Sequence, residues 1–265
     1  MSKTAYKYEP DYVVTPGEVL EEILQSRGMH KVELAGRTGL SAKQMSLIIS
    51  GKAPVTPETA IHFERVLGVS ANIWNNLESK YRLYKARQIE RDELNKHFGW
   101  LERFPLRELE KRGIVETSSD AYSSVSQLLD FFGVGSVAAW HEHYGHVKAS
   151  FRSSQAFQSS VEAVVTWLRI GELKAAEIDC DPYDKDKFDE ALARIRLLSN
   201  EKLEIFEPEM KKMCAQSGVA LVFVEDLPGT HLSGATRWLH SNKAMLELSL
   251  RYKTDDHLWF TFFHE

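Results

Sequence analysis

The sequence predicts a mostly α chain: a five-helix helix-turn-helix domain over residues 1–95, a helical middle region over 96–200, and a small α+β part over 201–265 with about three strands. Three observations predict it. Residues 31–52 hold two short apolar-periodic segments joined at a glycine. Amphipathic segments then recur as far as residue 217, with helix-starting residues before them and glycines after them. From Val219 the pattern changes to β-branched runs.

Taken in order, Tyr6–Val14 is aromatic and extended in pattern, an arm suited to packing on a partner subunit or on its own domain. Thr15-Pro16-Gly17-Glu18 opens a helix with a cap and a first-turn acid, and Val19, Leu20, Ile23 and Leu24 carry its period to a stop at Gly28. Leu34, Leu40, Met45 and Ile48 pack the next two helices together, with Ala35 small where they approach. Gly39 supplies the left-handed backbone of the turn between them, and Ser41 caps the second. Thr56-Pro57-Glu58 spells cap, first-position proline and dipole-matching acid for a fourth helix, which Gly68 closes. Ser70 caps the fifth, where Trp74, Leu77, Tyr81 and Tyr84 form an apolar stripe long enough to serve both the core and a dimer interface.

At about 100° per residue the second helix of the motif turns Met45, Ile48 and Ile49 inward. Lys43, Ser46, Leu47 and Ser50 face outward, with Ala42 and Gln44 on the flanks. That outward face is short and polar, with one cation and one amide able to bond base edges. From Arg27 to Lys52 there are five Lys/Arg against the single acid Glu33, a net +4.

The whole chain of 265 residues carries a net charge of −5, unevenly spread. Residues 1–95 hold 13 Lys/Arg against 12 Asp/Glu, and the remainder 20 against 26, so phosphate neutralisation has to come from the first domain. At 43% hydrophobic and 27% charged the composition is that of a globular protein rather than a disordered tail. No apolar run approaches the roughly 20 residues of a membrane span, and the N-terminus lacks the apolar core of a secretory signal. Cys180 and Cys214 make no disulfide framework and read as inert thiols. A cytoplasmic chain without membrane contact is expected.

In the middle region PLRELEKRGI and SVSQLLDFFGV each read as a helix with a glycine stop, and two longer amphipathic helices follow, the second starting near Asp184. Glycines and the serine-rich 117–124 mark the loops. His141, His143 and His146 do not form a zinc site, because the HExxH spacing puts two histidines four apart and here His141 and His146 are five apart. A helix from Leu203 ends at Gly218, followed by strand candidates at 219–226, 227–239 and 244–252 that suggest an antiparallel sheet. Thr254-Asp255-Asp256 then starts a helix that runs through Trp259, Phe260, Phe262 and Phe263 to His264-Glu265. Those four aromatic rings are expected to be exposed unless another element or subunit covers them.

The stretch KVELAGRTGLSAKQMSLIISGK resembles the helix-turn-helix of the Cro/cI-type (XRE) repressors. With TPGEVLEEIL before it and LGVSANIWNNLESKYRLYKAR after it, the match over about residues 14–90 resembles the antitoxin-type repressors called HigA. By position, the resemblance makes Ala42, Lys43, Gln44 and Leu47 base-facing and Lys31 and Lys52 phosphate contacts. The candidate DNA-binding set is thus Lys31, Ser41, Ala42, Lys43, Gln44, Ser46, Leu47 and Lys52. The family often carries glutamines where this chain has Ala42 and Lys43, so a half-site sequence does not carry over.

The run from Gly218 to Glu265 is similar to the ImmA/IrrE zinc metallopeptidases. That resemblance makes His264 a zinc ligand and Glu265 the general base, with a second histidine one turn beyond and a further acidic ligand later, both absent from this sequence. The expectation is therefore a chain with no catalytic residues at work, no stoichiometric zinc and no other cofactor, zinc being implied only for a complete peptidase domain.

The expected function is sequence-specific DNA binding by an antitoxin-like autorepressor, dimeric on palindromic operator DNA, with a C-terminal sensor or regulatory domain. Two alternatives stand beside it: a full-length zinc peptidase that cleaves a repressor or partner protein, inactive in this chain, and an antitoxin acting mainly by binding a ribonuclease toxin.

Overall fold

Capping residues set the boundaries of the N-terminal helices. A computed structural model describes residues 13–116, 120–145, 160–201, 203–249 and 255–265, in two compact units that divide between Glu93 and Leu94. In the first unit, α1 (Pro16–Ser26) begins with a reciprocal box in which Thr15 Oγ1 accepts from Glu18 N and Thr15 N donates to Glu18 Oε2. α2 (Lys31–Thr38) ends at Gly39, whose φ of 72° is left-handed. α3 (Ala42–Ile49), α4 (Pro57–Leu67) and α5 (Ala71–Asn95) follow. Residues 6–12 of the aromatic arm lie outside the described residues.

The five helices close around Leu20, Leu24, Leu34, Met45, Ile48, Phe63 and Trp74, with Phe63 and Trp74 meeting edge to face at 5.3 Å between centroids. Trp74 is fully buried, Leu77, Tyr81 and Tyr84 are half-buried, and α5 is then mostly exposed up to Glu93.

The second unit begins with α6 (Phe98–Leu101), α7 (Leu106–Lys111), α8 (Ala121–Phe132) and α9 (Val137–His143). Trp100, Phe104, Phe132, Trp140 and Tyr144 pack there as an aromatic cluster with centroids 4.8–5.7 Å apart. α10 (Val161–Ala176), α11 (Lys185–Arg196, capped by Asp184) and α12 (Leu203–Ala215) lead to strands β1 (Val219–Phe223), β2 (Gly234–His240) and β3 (Lys243–Leu248), and α13 (Asp255–His264) follows. Residues 117–119 of the serine-rich loop, His146 and residues 250–252 of the last strand candidate lie outside the described residues.

The sheet is mixed, not antiparallel as the sequence suggested. Its order is β1-β3-β2, with β1 parallel to the central β3 and β2 antiparallel to it. Only β2 and β3 are joined by a tight turn. The segment after β1 crosses to the far edge instead, through a bend at Pro228-Gly229 where Thr230 Oγ1 both accepts from Leu227 N and donates to Leu227 O. That bend shortens the second strand candidate to 234–240.

Alternation along the strands then splits the interior in two. Ala220, Val222 and Met245 face α10 and the aromatic cluster, while Val219, Leu221, Ala244, Leu246 and Leu248 face α11, α12 and α13. The stretches 96–200 and 201–265, separate by sequence pattern, share these two cores. On the second face Trp259 and Phe262 are buried against Phe206 and its neighbours, so α12 and the sheet cover two of the four terminal aromatic rings; Phe260 is 71% exposed.

Glu247 faces the α10 side with its carboxyl fully buried and neither oxygen hydrogen-bonded among the described residues. A Cβ at Gly171 would overlap that carboxyl, so the glycine supplies its slot. Burial, then the nearby Glu172 charge, pushes Glu247 up to about 9, against the opposing pull of Lys174 and Arg237. The folded acid therefore keeps its proton while the unfolded one has released it. Its contribution to stability is fully present below the unfolded value of 4.5 and is lost as pH rises from there to about 9. The expected slope is at most about 1.4 kcal/mol per pH unit. Glu247→Gln should flatten it and raise the melting temperature at pH 8, as read by denaturation across pH 5–9.

Candidate nucleic-acid interface

Within the first unit, α2, the turn and α3 form a helix-turn-helix whose parts are each locally determined. Gly39 N and Leu40 N both donate to Ala35 O, closing α2. Buried Thr38 donates its hydroxyl to Leu34 O at 2.8 Å. Ser41 turns the chain into α3, its Oγ accepting from Gln44 N at 3.1 Å. Met45 is fully buried and Ile48 is 2% exposed, so the rear of α3 is seated on the core.

The opposite side carries the sequence-predicted residues. Ser41, Ala42, Lys43, Gln44 and Ser46 are exposed, and Leu47 is half-buried. The Leu47 carbonyl accepts from Lys52 N at 2.9 Å and Ala53 N at 3.0 Å, which brings exposed Lys52 round the C-terminal end of α3. Lys43 and Lys52 have no ion-pair partner among the described residues. Lys31, exposed at the start of α2, pairs with Glu21 at 2.6 Å. Because both side chains are about half exposed, that pair is worth little and a phosphate could replace the carboxylate. Arg37 is held in the same way by Glu33.

Two contributors were not foreseen from the sequence. Glu21 lies ten residues from the lysine it holds. Glu78 on α5 accepts from Val55 N at 3.0 Å and pairs with Arg82, which braces the loop after α3. The spacing of Glu78 and Arg82 signals a helical pair, but the long-range bond to Val55 has no sequence signature.

In the second unit His264 and Glu265 are exposed at the end of α13, and Thr236 Oγ1 donates to the Glu265 backbone oxygen at 3.3 Å. His141 and His143 are exposed on α9. No group of three or more His, Cys, Asp or Glu able to hold a metal occurs among the described residues. Burial pushes the Cys214 thiol up to about 12 and raises that of Cys180, so both are poor nucleophiles.

A capped helix of eight residues, apolar behind and short and polar in front, has the form that enters a DNA major groove. No family model matches this sequence. It is 32% identical over 71 residues to the uncharacterized HTH-type transcriptional regulator YddM of Escherichia coli, spanning 27% of this chain and 76% of that one. Virulence-associated protein I of Dichelobacter nodosus is 32% identical over 76 residues, which span 28% of this chain and 70% of that one. The antitoxin HigA of Pseudomonas aeruginosa, solved with the higBA promoter, aligns at 27% identity over 31% of this chain and 91% of its own, with a TM-score of 0.30. The chain belongs to the helix-turn-helix transcriptional regulators. No helix among the described residues is long and apolar enough to cross a membrane.

The Ser41 cap gives a direct test of how α3 is built. Ser41→Ala should cost about 1 kcal/mol, seen as a lower thermal midpoint for the first unit by circular dichroism.

Proposed function

We propose that this chain reads operator DNA with the outward face of α3, acting as a dimer on a palindromic site and repressing its own transcription. The observation that carries the reading is the two-sided character of α3. Met45 and Ile48 fix its back while Ala42, Lys43, Gln44 and Ser46 stand clear in front. In this reading Lys43 and Gln44 bond base edges, Leu47 adds apolar contact, Ser41 caps the reading helix, and Lys31 and Lys52 bind phosphates on either side. Two copies of α3 in a dimer would sit about 34 Å apart, one helical turn of DNA.

The reading extends to the second unit as a regulatory rather than catalytic domain. Its support is the resemblance of residues 218–265 to ImmA/IrrE proteins, of whose zinc site this sequence offers only His264 and Glu265. In this proposal His264 and Glu265 hold no zinc. The antitoxin form of the reading, with a ribonuclease toxin as partner, rests on the resemblance of residues 14–90 to HigA.

Anisotropy titration against the DNA upstream of its own reading frame tests the proposal. Lys43→Ala should cost about 1–3 kcal/mol on the matched site, and Lys52→Ala should weaken all sequences alike and reduce the salt slope by about one. Binding indifferent to salt and to Lys43 would sink the reading. Metal analysis of the purified chain should find no stoichiometric zinc; one zinc per chain would overturn the regulatory reading of the second unit.

A further inference from the structure

Gly17 is the second residue of α1 and is buried, yet its backbone is not among those with positive φ. Nothing about its own conformation therefore calls for glycine. The requirement comes from α3. A Cβ at Gly17 would overlap the Ile49 carbonyl oxygen and stand 2.7 Å from its carbon and 2.9 Å from its Cα. These are backbone atoms of the last residue of α3, with no flexible side chain to give way. The hydrogen that occupies the Cβ direction is thus aimed at the last carbonyl of α3, a weak C–H···O contact of the kind found where helices meet closely. The first turn of α1 faces the last turn of α3, so the positive end of one helix dipole meets the negative end of the other.

The other side of the same end is bounded by α5. Gly51, at φ 66°, follows α3 closely enough that a Cβ there would lie 2.9 Å from Tyr81 Oη. The Tyr81 ring is half-buried over that turn. Between these two contacts the Leu47 carbonyl ties down Lys52 N and Ala53 N. The N-terminal end of α3 is fixed independently by Gly39 and Ser41.

We infer that Gly17 and Tyr81 are positioning residues for DNA readout: they set the depth and tilt of α3, and so the sequence discrimination of its outward face, without touching DNA. This rests on the DNA-reading proposal above. An alanine at Gly17 has to push α3 away from α1 by about an ångström to reach ordinary contact distance. Binding constellations tolerate only about 0.5 Å of displacement. Phosphate contacts on long lysine side chains absorb such a shift, whereas bonds to base edges do not. The signature is a loss of discrimination rather than of all affinity.

The test uses a duplex that the wild-type chain itself selects from a random-sequence library, a scrambled duplex of the same composition, and one fixed salt concentration. Gly17→Ala, shown folded by circular dichroism, should lose at least about tenfold on the selected duplex and no more than about twofold on the scrambled one. Gly36→Ala is the control: that glycine lies in α2 with nothing within 4 Å of an added Cβ, and its variant should match wild type on both. A folded Gly17→Ala chain with the wild-type ratio overturns the inference. If Gly17→Ala does not fold, Tyr81→Ala, which adds no atoms, decides in its place: a selective loss supports the inference, and an unchanged ratio overturns it. Failure of the underlying reading looks different, since the wild-type chain would then enrich no sequence or Lys43→Ala would bind the selected duplex as wild type does.

Discussion

Burial of Met45 and Ile48 into the five-helix core is the interaction on which the rest of the first unit depends. A helix of eight residues is too short to hold itself together in water. α3 exists because two side chains of its rear face are enclosed by Leu20, Leu34, Phe63 and Trp74. Once they are enclosed, the geometry of an α-helix leaves Lys43, Gln44 and Ser46 on the open side. The caps and turns at either end add little beside it, about 1 kcal/mol for Ser41. They decide where α3 begins and ends, and therefore which side chains the open face contains.

The second unit solves a different problem with the same means. Its three strands are too few to stand alone, and both faces of β1 and β3 are apolar. Helices cover each face, so one sheet divides two cores. Into the α10 side the chain places a carboxylic acid, Glu247, where an apolar residue would serve packing better. Glu172 beside it is taken up by Arg169 and Arg237, and Gly171 leaves the slot that Glu247 fills.

Features set by neighbouring residues were legible in the sequence. The Thr15, Ser41 and Thr56 caps, the left-handed Gly39 and Gly68, and the inward set of α3 all follow from spacing and residue type. Features set by residues far apart were not. The parallel pairing of β1 with β3 depends on where the segment after β1 crosses, and no single residue in it signals the direction. The covering of Trp259 and Phe262 depends on Phe206, 53 residues before Trp259. The ion pair that occupies Lys31 depends on Glu21 in another helix. In the candidate site the exposed face follows from residue spacing, while the contacts that hold its far end, Gly17 on Ile49 and Glu78 on Val55, join residues far apart in the chain and leave no local signature.

The sheet order leaves β2 at an edge, with β3 on one side and no strand on the other among the described residues. An unpaired strand of seven residues is a template on which another chain can add, the usual start of edge-to-edge aggregation. Two features of β2 work against that. Its register with β3 shifts between Trp238 and His240, which twists the strand out of the flat geometry that stacking needs. Arg237, tied to Glu172, plants a charge in the middle of the strand. The same irregularity that spoils the ladder locally thus helps to keep the protein from polymerising through its own sheet.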